Sequence, residues 1–230
     1  MADGDVFQIS ELVVPDRRLG RHIEHDPRSR NFPAAVAPIS DVMHARHGKP
    51  FNQGDLGSCT GNAMAGALMT APYYVSGRTL NEKGAVQLYE QATKLDQIAG
   101  SYPPDDTGST GVAVAKAAKK DGYISAYAHA FGLQHGLGAL TIAPVITGIN
   151  WYDSFDQPLD TGECPLGSDA SVRGGHEVEL FGIDTENQRV WAYQSWGATW
   201  GGLGNGTFWW SYQTWERLLS ENGDVTSFTA

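Results

Sequence analysis

The feature that most constrains this chain is a change of apolar period near its middle. From Cys59 to Gly122 the apolar residues recur at helical spacing, whereas beyond about residue 143 they come in short β-branched and aromatic runs broken by turn residues. The residues from Cys59 to Met69 are small or helix-favouring and Pro72 ends the run, which predicts a buried helix starting at about Ser58. "EKGAVQLYEQATKLDQIA" carries Leu88, Ala92, Leu95 and Ile98 on one helical face. "TGVAVAKAAKKDG" repeats the pattern with Val112, Ala115 and Ala118 and closes on Gly122 as a C-terminal cap glycine. "APVITGINWY", "HEVELFGI", "RVWAYQSW" and "GTFWWSY" read as strands, and "QTWERLL" as a short final helix. Helices first and strands second predict an α+β protein of two segregated lobes, about 38–135 and about 136–230. No internal repeat or low-complexity tract interrupts them.

At 230 residues the chain is long enough to bury a substantial core. Its formal charge of −10 is unevenly spread: residues 1–50 hold seven basic and seven acidic side chains, and the other nine basic and nineteen acidic ones lie in 51–230. An acidic body lacks the positive field that phosphate binding needs, so no nucleic-acid partner is expected. Two cysteines make no disulfide framework, although a single bridge is possible, and a reducing compartment is expected. The first residues lack an apolar secretory core and no apolar run approaches a membrane span, so no membrane partner is expected and the localisation is read as cytoplasmic.

Residues 1–37 read as an N-terminal arm, with arginines at 17, 18, 21, 28 and 30 against the acidic body. Opposite charge predicts docking along the body as a permanent extension, with partial occlusion of a cleft as the lesser alternative. His22, His25, His44 and His47 are paired at i, i+3 spacing, but no carboxylate or cysteine pattern accompanies them; they read as solvated loop residues, and neither metal nor cofactor is expected.

The chemistry-bearing candidates lie on three stretches. In "NQGDLGSCTGNAMAGALM", Cys59 falls at the first turn of the predicted helix, where free amides and the helix dipole favour a thiolate. Taken alone, a cysteine there is more often a small core residue. In "RGGHEVEL", Gly174 and Gly175 deliver His176 into a strand and let another chain pass close to it. In "YQSWGATWG", the Gln194 amide oxygen can accept from an imidazole N–H and fix its tautomer, and Trp196 can shield that bond from water.

These three motifs, in this order, resemble those of the papain-like cysteine peptidases. "NQGDLGSC" is similar to the family's nucleophile box, "GGHEVELFGID" to its histidine strand, and "YQSWGATWGGLGNGTFW" to its amide–tryptophan segment. The resemblance runs from about Pro38 to about Tyr212 and implies a papain-like fold with a helical lobe and a β-barrel-like antiparallel lobe. It implies Cys59 as nucleophile, His176 as general base and then acid, and Gln53 as oxyanion donor beside the Cys59 backbone N–H. It also implies that Trp196 caps the histidine–amide bond, and that Gly108 and Gly175 lie along the substrate backbone. Gln194 stands where the family has asparagine, one methylene longer. The implied activity is peptide-bond hydrolysis through a thioester acyl-enzyme, with peptide or protein substrates. Two alternatives share the fold: a catalytically silent structural or binding protein, such as a virion or assembly component engaged through the arm, and an amidase or peptidoglycan peptidase using the same dyad. The lack of cysteine pairs resembles the compact relatives of bacteria and bacteriophages.

Overall fold

A computed structural model describes residues 5–31, 33–74 and 79–230. In chain order the elements are β1 (Val6–Phe7), β2 (Ile23–Glu24), β3 (Val42–Met43), α1 (Cys59–Leu68), α2 (Glu82–Ala92), α3 (Gly111–Lys120), β4 (Ala126–Ala130), α4 (Gly132–Ile142), β5 (Val145–Tyr152), β6 (Val172–Asp184), β7 (Arg189–Tyr193), β8 (Thr207–Ser211), α5 (Tyr212–Ser220) and β9 (Asp224–Thr229). The large sheet is antiparallel in the order β4-β9-β5-β6-β7-β8, with β3 also paired to β6. It is an open sheet rather than a closed barrel. The α+β class and the helix-then-strand order read from the sequence are those of the structure.

Helix ends follow local chemistry. Asn81 and Thr110 cap α2 and α3 by accepting from the Gly84 and Ala113 amides. Beyond α3, Gly122 takes φ +72°, the left-handed C-terminal position its sequence context predicts. The helix expected to run on to Ile98 ends earlier, at Ala92, because Lys94, Leu95 and Asp96 close turns on Gln91 and Ala92 instead. α4 and the outer strands β4 and β9 were not legible. β4 falls before the expected lobe boundary yet belongs to the sheet, and α4 spans that boundary.

The sheet separates two cores. On one side α1, α2 and α3 pack with Ile146 and Phe228; on the other, Trp151, Phe155, Phe208, Trp210 and Trp215 pack with α4 and α5. Every residue of α1 is buried, because it lies between α2 and β6. Its fit depends on glycine: a Cβ on Gly61 would lie 2.3 Å from the Ala85 carbonyl oxygen and 2.8 Å from the Tyr89 Cβ. Those are backbone and near-backbone atoms that cannot swing away. Gly61→Ala should therefore destabilise the chain by about 1–3 kcal/mol, overpacking outweighing the gain in helix propensity. A chemical-denaturation midpoint unchanged or raised in Gly61→Ala would show that α1 and α2 do not need this approach.

Candidate active site

Cys59 opens α1, with Ser58 as its N-cap, as the sequence predicts. His176 lies on β6 opposite Ile149 of β5. Strand alternation sends His176, Val178 and Leu180 toward the aromatic core, and Glu177 and Glu179 toward the opposite face. The loop after β7 is fastened to the loop before α1 by backbone bonds: Gln53 N–H donates to the Ser195 oxygen (2.8 Å) and Gly197 N–H to the Phe51 oxygen (2.9 Å). These tie the two motif loops into one frame.

Within it, the His176 tautomer is fixed by a residue the sequence reading missed. The Ser195 backbone N–H, which can only donate, lies 2.8 Å from Gln194 Oε1, so that atom is the amide oxygen. The same oxygen lies 2.5 Å from His176 Nε2, which must therefore carry the proton. Nδ1 keeps its lone pair and has no hydrogen-bond partner. Trp196 stacks on the imidazole (centroids 5.4 Å, planes 27° apart), and Trp151 meets it edge-on at 4.9 Å. The longer glutamine thus orients the ring as the shorter amide was expected to do. The Cys59 thiol lies within reach of the Glu177 backbone amide, one residue from His176.

Gln53 is pinned by the same loop, its Oε1 accepting from the Ser195 hydroxyl at 2.5 Å. Its Nε2 donates to the Leu56 oxygen (2.8 Å) and to the carbonyl of Leu19 (3.2 Å). Leu19 belongs to the N-terminal arm, and the arm runs through the groove. The Gly20 and Arg21 amides donate to the Gly175 oxygen (3.1 and 2.9 Å), His22 N–H donates to the Ser109 oxygen (2.8 Å), and Ser109 N–H donates to the Gly20 oxygen (2.8 Å). The Trp196 indole donates to the Arg18 oxygen at 3.0 Å. Gly108 and Gly175 both lie against this segment: a Cβ would come within 2.4 Å of the Gly20 oxygen and 2.1 Å of the Arg21 oxygen, respectively. The backbone pairing on the Gly108 side runs through Ser109.

The arm was expected to dock along the body as a permanent extension, with partial occlusion of the cleft the lesser alternative; it does dock along the body, and residues 18–22 lie against Gln53, Ser109, Gly175 and Trp196. Backbone bonds and ion pairs together seat it: Leu19 and Arg21 are fully buried, Arg21 pairs with Asp224, and the partly exposed Arg18 pairs with Asp106. Arg173, whose Nη2 donates to the Arg17 oxygen (2.7 Å) and whose guanidinium lies over the Trp196 ring, adds a further anchor. The helix terminus was expected to favour a Cys59 thiolate. In the covered site burial dominates, pushing the Cys59 thiol well above its usual range against the pull of the Glu177 backbone amide. His176 is pushed down to about 3, by burial first and by the Arg173 charge, despite the Gln194 bond. Both groups are neutral there.

The cysteines are free and buried, so the single bridge left open by their number is not formed. Of the four histidines expected to be solvated, His22 and His44 instead make structural bonds: His22 accepts from Ile9 N–H and donates to the Thr107 oxygen, and His44 donates to the Leu140 oxygen. Among the described residues no cluster of histidine, cysteine or carboxylate side chains has metal-binding geometry, and no helix is long and apolar enough to cross a membrane.

No sequence-family model matches the chain, and no curated protein does. Solved structures do. Xylellain, a cysteine protease from Xylella fastidiosa, shares 17% identity over 96% of this chain and 99% of its own, with a TM-score of 0.69. Digestive procathepsin L 3 from Tenebrio molitor larval midgut shares 15% over 94% of this chain and 76% of its own (TM-score 0.61). Bromelain from Ananas comosus in complex with the E64 inhibitor shares 15% over 87% and 96% (TM-score 0.53). The fold is therefore the two-lobe α+β fold of the papain-like cysteine proteases.

Two outcomes follow from the covered site. A histidine of ordinary pKa, about 6.5, is mostly protonated at pH 5. Because the His176 value is lowered, its ring should remain neutral there, with Nε2 protonated, in ¹⁵N NMR spectra of the intact chain; a protonated ring at pH 5 would overturn the buried, neutral assignment. Gly20 has φ +126° and a Cβ there would lie 2.1 Å from the Gly57 oxygen, so Gly20→Ala should lift the arm. Iodoacetamide should then alkylate Cys59 several-fold faster than in the parent chain, with Cys164 unchanged, as read by peptide mass mapping.

Proposed function

We propose that this chain is a cysteine peptidase, with Cys59 as nucleophile, His176 as base and then acid, Gln194 as the residue that orients His176, and Gln53 as oxyanion donor. The observation that carries the reading is a peptide carbonyl, that of Leu19, held by the Gln53 amide in the loop that leads into Cys59. A groove that binds one backbone through Gln53, Ser109 and Gly175 has the donors and acceptors to bind another. Peptides or proteins are the substrate class this supports.

Once the arm leaves and water returns, desolvation no longer penalises the thiolate–imidazolium pair. His176 Nδ1 takes the Cys59 proton, and the sulfur attacks the substrate carbonyl carbon. The carbonyl oxygen becomes an oxyanion, held by Gln53 Nε2 and the Cys59 backbone N–H, contacts of a kind worth about 2.7–4 kcal/mol each. The C–N bond breaks as the imidazolium returns its proton to the departing amine, leaving a thioester. His176 then removes a proton from water, which attacks the thioester carbon and releases the acid and the thiol. Trp196 and Trp151 keep bulk water off the His176–Gln194 bond throughout. Residues 18–22 make the intact chain a latent form.

The test is fluorogenic-peptide turnover by full-length Gly20→Ala and variants built on it. Cys59→Ser should abolish turnover. Gln194→Ala should lower kcat by roughly 10²-fold or more, as expected when a catalytic histidine loses its orienting partner, with little change in KM. Gln194→Asn should stay within about tenfold of the parent, because it retains the amide oxygen. Equal kcat for Gln194 and Ala would remove Gln194 from the mechanism, and turnover surviving Cys59→Ser would overturn the peptidase reading.

A further inference from the structure

Beside His176, Glu177 and Asp224 form a buried acidic pair that Arg21 of the arm reaches. Glu177 follows His176 on β6 and is fully buried, and neither of its carboxylate oxygens has a hydrogen-bond partner. Asp224 opens β9 and is also buried, with Oδ1 unpartnered. Two glycines floor the space. A Cβ on Gly111 would lie 3.1 Å from Glu177 Oε1 and 3.2 Å from Asp224 Oδ1; one on Gly148 would lie 2.8 Å from Glu177 Oε2 and 2.8 Å from Asp224 Oδ2. A side chain at Gly148 would clash with both carboxylates and with Arg21, and one at Gly111 would crowd both carboxylates.

Two carboxylates with no cation built into the body are an unstable arrangement on their own. The cation comes from the arm. Arg21 enters from the groove, its backbone lying between Ser109 and Gly175, and its Nη2 lies 2.5 Å from Asp224 Oδ2 and 2.9 Å from the Asn222 oxygen. Its Nε would sit 2.5 Å from a Gly148 Cβ, so guanidinium and both carboxylates converge on one small volume. The fit is incomplete, since Arg21 Nε and Nη1 and both Glu177 oxygens remain unpaired. The pocket thus has acceptors to spare for a better-seated guanidinium.

We infer that this pocket is a specificity site for a substrate arginine, recognised by Glu177 and Asp224, and that Arg21 of the arm occupies it as a stand-in. The inference rests on the peptidase reading for its substrate, but not for the pocket's chemistry. A planar guanidinium can meet two carboxylates at once, whereas a lysine ammonium meets them as a single point charge, so arginine is preferred over lysine. A leucine leaves both acidic groups buried and unmet, and a glutamate brings a further carboxylate beside them.

The test uses full-length Gly20→Ala/Arg21→Ala, which lifts the arm and empties the pocket. Peptidyl epoxides are made with Arg, Lys, Leu or Glu at the residue next to the reactive group, and a second set varies the residue one farther out. The rate of Cys59 modification is followed by intact mass. In one of the two sets the Arg probe should react roughly 100-fold faster than the Leu probe, since a site built of buried polar groups rejects a ligand that leaves them unpaired. Adding Glu177→Gln and Asp224→Asn should bring the two within a few-fold. Comparable rates for all side chains in both sets would overturn the pocket and leave the peptidase reading standing. Failure of every probe to modify Cys59 would count against the peptidase reading, and the pocket is then decided by the arm itself. Hydrogen exchange at the Gly20, Arg21 and His22 amides of the full chain should lose protection in Arg21→Leu and keep more of it in Arg21→Lys. Parent-like protection in Arg21→Leu would overturn the inference.

Discussion

The backbone N–H of Ser195 decides what the buried histidine can do. Because it can only donate, it orients the Gln194 side chain, and Gln194 in turn puts the His176 proton on Nε2. The opposite tautomer would leave no lone pair on Nδ1 for a thiol proton. The Ser195 hydroxyl reaches the other way, to Gln53 Oε1, and so points the Gln53 N–H groups at the groove. One residue therefore positions the His176 ring and the Gln53 amide together. The backbone bonds between the 51–53 and 195–197 segments keep the two in register.

The arm changes the electrostatics of this assembly as much as its access. With Leu19 and Arg21 buried in the groove, the thiol and imidazole sit where charge separation is costly, and both shift toward their neutral forms. A helix N-terminus favours a thiolate only while solvent or a cation shares the load. Cover and electrostatics thus act together: a backbone segment lies over the site, and the thiol and the imidazole are both held neutral beneath it.

Much of this was legible in the sequence. Cys59 before a small-residue run, His176 behind two glycines and the amide–tryptophan segment carried the fold class, and of these residues His176 and Gln194 are hydrogen-bonded to each other. The glycine pair before His176 signalled a close-passing chain, and that chain is the arm: Gly174 faces Leu19, and Gly175 faces the Arg21 carbonyl. What hid the arm's path is that much of its seating uses backbone amides, which every residue carries, so the arginines alone did not locate it. Ser195 was hidden for the same reason. Glu177 was readable in principle, because period-two alternation from His176 puts it with Glu179 on the opposite face of β6, where an acidic residue needs an explanation. α4 was hidden by its six small or β-branched positions among "GLQHGLGALTI", a composition that fits loop and helix alike.

The incomplete pairing of Arg21 has a consequence for how such a latent form behaves. A ligand that leaves Nε and Nη1 unmatched is a poor one by affinity. It nevertheless fills the groove because it is tethered: Ala34 and Ala37 are bonded to the His129 and Gly138 carbonyls, so the segment is presented at a local concentration in the millimolar range, on the order expected for a short linker. A single cut between Glu24 and Ala34 would abolish that concentration. The freed segment would then be held only by its own contacts, the backbone bonds of residues 20–22 and the ion pairs of Arg18 and Arg21. Pairing every guanidinium nitrogen would make that hold independent of the tether; leaving two of them unpaired keeps it dependent.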